Sequence, residues 1–168
     1  GESLYALVKR LGSLSMKTAA EIGIQVCRLI QFMNTADNPI LYLDLQPKNL
    51  LVCNGAVRLI DFDHAQYAED VTAFGERYGT IGFAAPEQYR GEPLDCRTDV
   101  YAIGALLYYM CRGEPPGNGF CLGDRSGTWE LDRIIRGCMA AEKDGRYQNA
   151  GKVEQALCEL KTVLSEKH

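Results

Sequence analysis

The chain has 168 residues, of which 46% are hydrophobic, and this is enough to bury one globular core. Its 18 basic and 22 acidic residues give a formal net charge of −4 and form no basic block, which argues against a nucleic-acid-binding or membrane-surface protein. The longest nearly apolar run, residues 100–111, is too short to span a bilayer and predicts a buried helix.

Seven cysteines are present, and no two of them form a Cys-x-x-Cys pair. The odd count argues against a disulfide framework, and most of these residues lie within apolar patterns, as reduced buried thiols do. We therefore expect a cytoplasmic protein, because reduced cysteines are typical of that compartment. A zinc site is an alternative that the spacing does not favour.

Two helices are predicted in the first part of the chain. Apolar residues at helical spacing predict a short amphipathic helix over residues 3–11, which Gly12 ends. A longer helix over residues 16–33 follows the candidate N-cap Ser15 and carries one broad apolar face. Such a face indicates core packing rather than a site.

A β-hairpin with polar residues at its open end is predicted next. The hairpin covers residues 50–60, because an Asn-Gly dipeptide at its centre is the preferred sequence of a two-residue turn. Asn49 precedes the first strand, Asp61 follows the second, and Asp44 is one short loop away. Oxygen ligands of this kind suit Mg²⁺ carried with substrate phosphates. A hairpin with polar ends and no ligand remains an alternative at this point.

The rest of the chain alternates irregular segments with helices. Residues 61–87 contain few apolar side chains and no clear period, and loops of this length in compact domains are usually functional or disordered. A hydrophobic central helix is predicted over residues 98–111, ended by Gly113. Residues 120–128 are glycine-rich, and two further helices are expected within residues 131–166.

Three short motifs follow one another along the chain. They are Asp44-x-x-x-x-Asn49, Asp61-Phe62 and Ala85-Pro86-Glu87. In this order and at this spacing they resemble the catalytic loop, the metal-binding motif and the Ala-Pro-Glu motif of protein kinases. The end of the segment, residues 79–88, is especially similar to that of bacterial Ser/Thr kinases. Each motif alone is weak evidence, whereas three in order are strong evidence.

The resemblance covers the whole chain and implies a mainly α-helical fold with a small β-hairpin, the large C-terminal lobe of a protein kinase. The single domain, residues 1–168, would contain several family segments. These are a catalytic loop at 42–49, a metal-binding motif at 61–63, an activation segment at 61–87, a central helix at 98–111 and C-terminal helices at 131–166.

No Gly-x-Gly-x-x-Gly loop, strand lysine or helical glutamate precedes Ser3, although kinases use these parts to orient the phosphates of ATP. We therefore expect a fragment that begins near the kinase hinge, and its partner in the parent chain would be the missing N-terminal lobe. The apolar face between the two lobes would then be exposed, which favours self-association.

The resemblance also implies ATP and Mg²⁺ as cofactors and gives roles to single residues. Asp44 would accept the proton of the substrate hydroxyl, and Gln46 would face the γ-phosphate. Asn49 and Asp61 would hold Mg²⁺ on ATP. Leu51 would pack beneath the adenine.

Other residues would support the site. Ser3 falls where kinases often contact the ribose, with a helix N-cap as an equal alternative. Thr80 resembles the threonine that bridges the catalytic Asp and a lysine. Asp99 would bind the backbone amides of the catalytic loop. Glu87 and Arg146 would form an ion pair that braces the substrate-binding segment.

Several residues depart from the kinase pattern. Tyr42-Leu43 replaces the usual His-Arg, and without that arginine we expect activity not to require phosphorylation of the activation segment, at Thr72 or Tyr78 for example. Gln46 replaces a lysine and removes a cation from a site where charge neutralisation supplies much of the rate. Asp63 replaces the glycine of Asp-Phe-Gly, which removes backbone freedom and adds a negative charge.

The leading hypothesis is a bacterial-type Ser/Thr protein kinase that transfers phosphoryl groups to a protein substrate, with the isolated lobe inactive. The rival is a pseudokinase that acts as a binding or scaffolding module, with Gln46 and Asp63 as marks of lost activity. A small-molecule phosphotransferase is a third reading, although the Ala-Pro-Glu motif together with Arg146 favours protein substrates.

Overall fold

A computed structural model describes residues 1–71, 79–117 and 129–167. Within these ranges the chain forms helices α1 to α6 and strands β1 to β5. The helices are α1 Leu4–Leu11, α2 Met16–Asn34, α3 Pro86–Arg90, α4 Cys96–Arg112, α5 Trp129–Cys138 and α6 Ala150–Glu166. The strands are β1 Glu2–Ser3, β2 Ile40–Leu41, β3 Leu50–Cys53, β4 Ala56–Leu59 and β5 Gln66–Tyr67. The mainly α fold predicted from the sequence is confirmed.

Helix α4 forms the centre of the core and packs against α2, α5 and α6. It is buried over almost its whole length, which explains its nearly continuous apolar sequence. Helix α5 approaches α4 closely at Gly104, where a Cβ atom would lie only 2.5 Å from the Cβ of Cys138. Any larger side chain at this position would therefore push the two helices apart.

Strands β3 and β4 form the predicted hairpin, with Leu50 opposite Leu59 at its open end. Asn54 and Gly55 have φ angles of 48° and 80°, the positive values that this two-residue turn requires. The sequence did not predict that β1 would pair with β3 as a third antiparallel strand. It also missed a second small sheet, in which β2 pairs with β5.

The predicted helix boundaries need correction by a few residues. Helix α4 begins at Cys96 rather than at residue 98, because Asp95 is its N-cap and accepts a hydrogen bond from the amide of Arg97 (2.9 Å). The Thr98 hydroxyl accepts a hydrogen bond from the Asp95 amide in return (3.3 Å). Similarly, Asn149 caps α6 and starts it at residue 150.

The described cysteines are all free thiols. Burial raises the pKa of the Cys111 thiol to about 12 and raises that of Cys27 as well, so these thiols stay protonated and unreactive near neutral pH. No helix in the described ranges is long and apolar enough to cross a membrane. Cys121 and the glycine-rich residues 120–128 lie outside the described residues.

Candidate active site

The loop that carries Asp44 is held by the first turn of α4. The two carboxylate oxygens of Asp99 accept hydrogen bonds from the backbone amides of Tyr42 and Leu43, both at 2.9 Å. Asn34 adds a third donor to Asp99 at 3.2 Å. Burial raises the pKa of Asp99, and the two backbone amides oppose that shift because they stabilise the charged form. Leu43 has a φ of 66°, a left-handed conformation that costs a non-glycine residue roughly 1–2 kcal/mol.

Three side chains donate hydrogen bonds to the Asp44 carboxylate. Its Oδ1 accepts from Gln46 Nε2 (3.1 Å) and from Thr80 Oγ1 (3.0 Å), while its Oδ2 accepts from Asn49 Nδ2 (3.0 Å). Each carboxylate oxygen has about two acceptor positions. Among the described residues, Oδ1 is therefore saturated and Oδ2 keeps one position for a further donor. Asp44 is half-buried, so a substrate group can reach it.

Asn49 and Asp61 lie together at the open end of the hairpin. The carbonyl oxygen of Asn49 accepts a hydrogen bond from the amide of Ile60, the residue before Asp61 (2.9 Å). Asn49 uses its amide nitrogen to donate to Asp44, which leaves its side-chain oxygen as an acceptor. Asp61 is exposed, has a φ of 63°, and forms no ion pair with a described residue.

This donor set fits a magnesium ion carried by a phosphate. Mg²⁺ typically takes one or two protein oxygens and fills its remaining positions with water and phosphate. Asp61 supplies a carboxylate and Asn49 an amide oxygen. In the described ranges no group of three or more His, Cys, Asp or Glu side chains is arranged to hold a metal, so a dedicated all-protein metal cage is not formed there.

Tyr42 links the two reactive loops, a role that the sequence analysis missed. Its single hydroxyl proton lies between two carbonyl oxygens, those of Ile60 (2.5 Å from the hydroxyl oxygen) and Asp61 (3.0 Å). Its ring packs edge-on against Phe62, with centroids 5.4 Å apart. Burial raises the pKa of Tyr42, and the nearby carboxylates, Asp44 first among them, raise it further, so the hydroxyl remains a donor at neutral pH. The available signal was a tyrosine two residues before Asp44, at a position where kinases usually carry histidine.

Glu87 and Arg146 form a buried bidentate ion pair. The two nitrogen-to-oxygen distances are 2.6 and 2.9 Å, and the side chains are 2% and 0% exposed. The Thr98 hydroxyl also donates to Glu87 (3.0 Å). Burial alone would raise the pKa of Glu87, but the hydrogen bonds and the charge of Arg146 outweigh it, so the net shift is downward. The pair joins α3 to the segment before α6.

Two residues near the Ala-Pro-Glu motif are also bound to the loop that carries Asp44. Thr80 makes the contact with Asp44 described above, and Gln88 Nε2 donates to the carbonyl oxygen of Leu43 (3.0 Å). Gln88 Oε1 accepts from the amide of Ala85 (3.0 Å). Sequence analysis did not single out Gln88, which follows the Ala-Pro-Glu motif directly. Thr72 and Tyr78 lie outside the described residues.

Ser3 and Leu51 lie opposite each other in the β1–β3 pair. The Ser3 hydroxyl accepts a hydrogen bond from the amide of Ala6 (3.0 Å), so it caps α1, which is the alternative that the sequence left open. Leu50 is fully buried whereas Leu51 is only half-buried, as expected for alternating side chains. Phe62, at the open end of the hairpin, is 53% exposed.

The comparisons with known proteins agree with this geometry. The family model described as the protein kinase domain matches residues 1–164. The chain belongs to the protein kinase family. Within this family it is 37% identical to a probable serine/threonine-protein kinase, CE0033, of Corynebacterium efficiens and 35% identical to the probable serine/threonine-protein kinase PknB of Corynebacterium glutamicum. It is 30% identical to the serine/threonine-protein kinase PknB of Mycolicibacterium smegmatis.

These matches use 94–95% of the kinase-family chain but only 27–28% of each relative. The chain therefore spans a little more than a quarter of the length of these curated relatives. The region matched by the family model contains the motifs Asp44-x-x-x-x-Asn49, Asp61-Phe62 and Ala85-Pro86-Glu87.

Proposed function

We propose that the chain is the catalytic-loop lobe of a Ser/Thr protein kinase and that Asp44 is its catalytic base. The observation that carries this proposal is the hydrogen bonding of Asp44: three neutral donors fix the carboxylate, and one acceptor position on Oδ2 stays open. A serine or threonine hydroxyl that donates to this position would be oriented for attack, and the carboxylate would accept its proton as the new oxygen–phosphorus bond forms and the bond from the γ-phosphorus to the leaving ADP oxygen breaks.

Asn49 and Asp61 would hold the metal on the phosphate side of Asp44. When bound, Mg²⁺ would supply neutralisation of charge on the ATP phosphates. Asn49 would link the two functions, because its amide nitrogen donates to Asp44 and its side-chain oxygen would be available to hold the metal. Glu87 and Arg146 would keep the substrate-binding segment in place, and Leu51 and Ser3 would border the adenosine.

ATP binding in this proposal needs a second lobe from residues outside 1–168. The described surface offers Leu51 and the exposed Phe62 as one side of a nucleotide cleft. We expect the isolated chain to bind ATP·Mg²⁺ weakly, to be inactive and to self-associate through this apolar face. Calorimetric titration and analytical ultracentrifugation test these expectations, and micromolar ATP affinity of the chain alone would contradict the first. The six described cysteines are free thiols, which supports a reducing, cytoplasmic location.

The effect of Gln46 on turnover distinguishes an active kinase from a pseudokinase. It donates to Asp44 at 3.1 Å but carries no charge, so the transferring phosphoryl group lacks one positive neighbour. Losing one preorganised stabiliser typically lowers turnover ~10²–10³-fold, so we expect a slow enzyme that Gln46→Lys accelerates. This uncharged residue, together with Asp63 beside Asp61, is also what favours the rival binding module.

The test is phosphoryl transfer by the full-length parent protein to a general acceptor. Asp44→Asn should abolish the rate because an amide cannot take the hydroxyl proton, and Asp61→Asn should abolish it by weakening the metal site. Gln155→Lys introduces the same charge at an exposed position of α6, away from these residues, and serves as the matched control. No turnover in either the wild type or Gln46→Lys would refute the enzyme and leave a binding module.

A further inference from the structure

A groove next to Asp44 is lined by residues that belong neither to the proposed metal site nor to the Glu87–Arg146 ion pair. Its volume is about 430 Å³, within the usual range of small-ligand pockets. Gln46 and Thr80 line it, and both donate to Asp44 Oδ1, so the groove runs up to the proposed base. Asn49 and Asp61 do not line it. The groove therefore reaches Asp44 from the side of Oδ1, apart from the proposed metal ligands, and a protein segment whose hydroxyl donates to Oδ2 can extend into it.

Two lysines meet over one tyrosine ring at the wall of this groove. Lys9 Nζ lies 5.5 Å and Lys48 Nζ 5.0 Å from the centroid of the Tyr5 ring. Tyr5 and Lys9 are one turn apart on the exposed face of α1, and Lys48 belongs to the short turn that follows Gln46. Lys9 also donates to the Tyr5 hydroxyl at 3.4 Å.

Neither lysine forms an ion pair with a described carboxylate, although both are exposed. The carboxylate of Glu114 also lines the groove, so the groove carries two positive charges against one negative charge. The Tyr5 ring stabilises the positive charges of the two ammonium groups only in part, because an exposed cation–π contact contributes roughly 0.5–1 kcal/mol. An additional anion between the lysines would be favourable. The remaining walls, Ile81, Phe83 and Pro115 among them, are apolar and suit the methylene groups of a long acidic side chain.

We propose that Lys9 and Lys48 determine specificity by selecting protein substrates with an Asp or Glu side chain close to the phosphorylated hydroxyl. The inference rests on the proposed kinase function, since the groove matters only if a protein segment presents its hydroxyl to Asp44. The lysines do not touch the reacting atoms. They act on substrate binding, so their effect falls on KM more than on kcat.

The experiment uses the full-length parent protein and a set of serine peptides. At a position on one or the other side of the acceptor serine, each peptide carries Asp or Glu, the corresponding amide Asn or Gln, or Lys. We expect kcat/KM to be about 3- to 10-fold higher for the best acidic peptide than for its amide counterpart, mainly through KM. Added salt should reduce this ratio, because the charges are exposed. The double variant Lys9→Met/Lys48→Met keeps the apolar stems and should bring the ratio to about one.

Lys17→Met removes one exposed lysine of α2, away from the groove, and should leave the ratio unchanged. Equal kcat/KM for acidic and amide peptides in the wild type, or a preference that survives in the double variant, would overturn the inference. If no peptide is phosphorylated, the kinase proposal fails separately. Fluorescence anisotropy of labelled acidic and amide peptides then decides the inference without turnover, and equal affinities would refute it.

Discussion

Removing Arg146 should destabilise the protein far more than removing an exposed arginine. The guanidinium makes two hydrogen bonds to Glu87 and donates to the carbonyl oxygens of Ala140 (2.7 Å), Arg97 (3.1 Å) and Ala141 (3.1 Å). Arg146→Ala leaves a carboxylate that is 2% exposed with the Thr98 hydroxyl as its remaining side-chain donor. Breaking one side of a buried pair typically costs about 3–5 kcal/mol. For a domain of this size that loss lowers Tm by about 6–20 °C.

Urea and thermal denaturation of the chain, followed by circular dichroism, measure this loss. Arg28→Ala is the matched control, because Arg28 and Glu154 have a similar nitrogen-to-oxygen distance of 2.7 Å but the arginine side chain is 62% exposed. We expect that control to lose less than about 1 kcal/mol. A similar small loss in Arg146→Ala would refute the reasoning. Lowering the pH should reduce the difference in free energy of unfolding between Arg146→Ala and the wild type. The reason is that protonation of Glu87 in the variant removes its unpaired charge.

Three further predictions concern the fold around the site. Gly104→Ala should cost about 1–3 kcal/mol in urea denaturation, because the new Cβ would lie 2.5 Å from an atom of α5. Gly117→Ala, where no atom of the described residues lies within 4 Å of the new Cβ, should be neutral. Burial acting alone would raise the pKa of Asp95, but hydrogen bonds from Arg97 outweigh it and lower the pKa to about 2. The stability that this shift contributes is present above the unfolded pKa of about 3.9 and is lost as pH falls towards 2. In Asp95→Asn the free energy of unfolding should therefore decrease less between these pH values, by about 1 kcal/mol after allowance for solvent screening. Tyr42→Phe removes the hydroxyl that contacts the carbonyl oxygens of Ile60 and Asp61 and should cost about 1 kcal/mol in the same assay, and an unchanged stability would contradict this.

The elements predicted from the sequence are those with a strong local signal. The hairpin followed from an Asn-Gly turn between two apolar runs, and α4 followed from its continuous apolar sequence. The two-residue strands were not predictable, because a strand of that length has no period and exists only through its partner. Helix α4 was predicted to begin two residues late because Thr98 and Asp99 were given the start, whereas the capping residue is Asp95.

The candidate site shows the same limit. Order and spacing of motifs indicated Asp44, Asn49 and Asp61, but nothing in the sequence gives the positive φ angles of Leu43 and Asp61, since neither residue is a glycine. These strained conformations depend on tertiary hydrogen bonds, as is common at functional sites. The saturation of Asp44 Oδ1 likewise requires side chains 2 and 36 residues away in the chain to meet at one atom.

The two amides held by Asp99 have a consequence for how the molecule opens. They connect segments that are 56 and 57 residues apart, and the acceptor lies in the first turn of the most buried helix. The loop that carries Asp44 therefore cannot detach without disturbing α4, so hydrogen exchange of the Tyr42 and Leu43 amides should approach the rate set by global unfolding. Asp61 is exposed, and the Tyr42 hydroxyl near the carbonyl oxygens of Ile60 and Asp61 connects its loop to the loop of Asp44. The proposed base thus belongs to the part of the protein that opens last, and the Asp61 loop is joined to that part through one tyrosine.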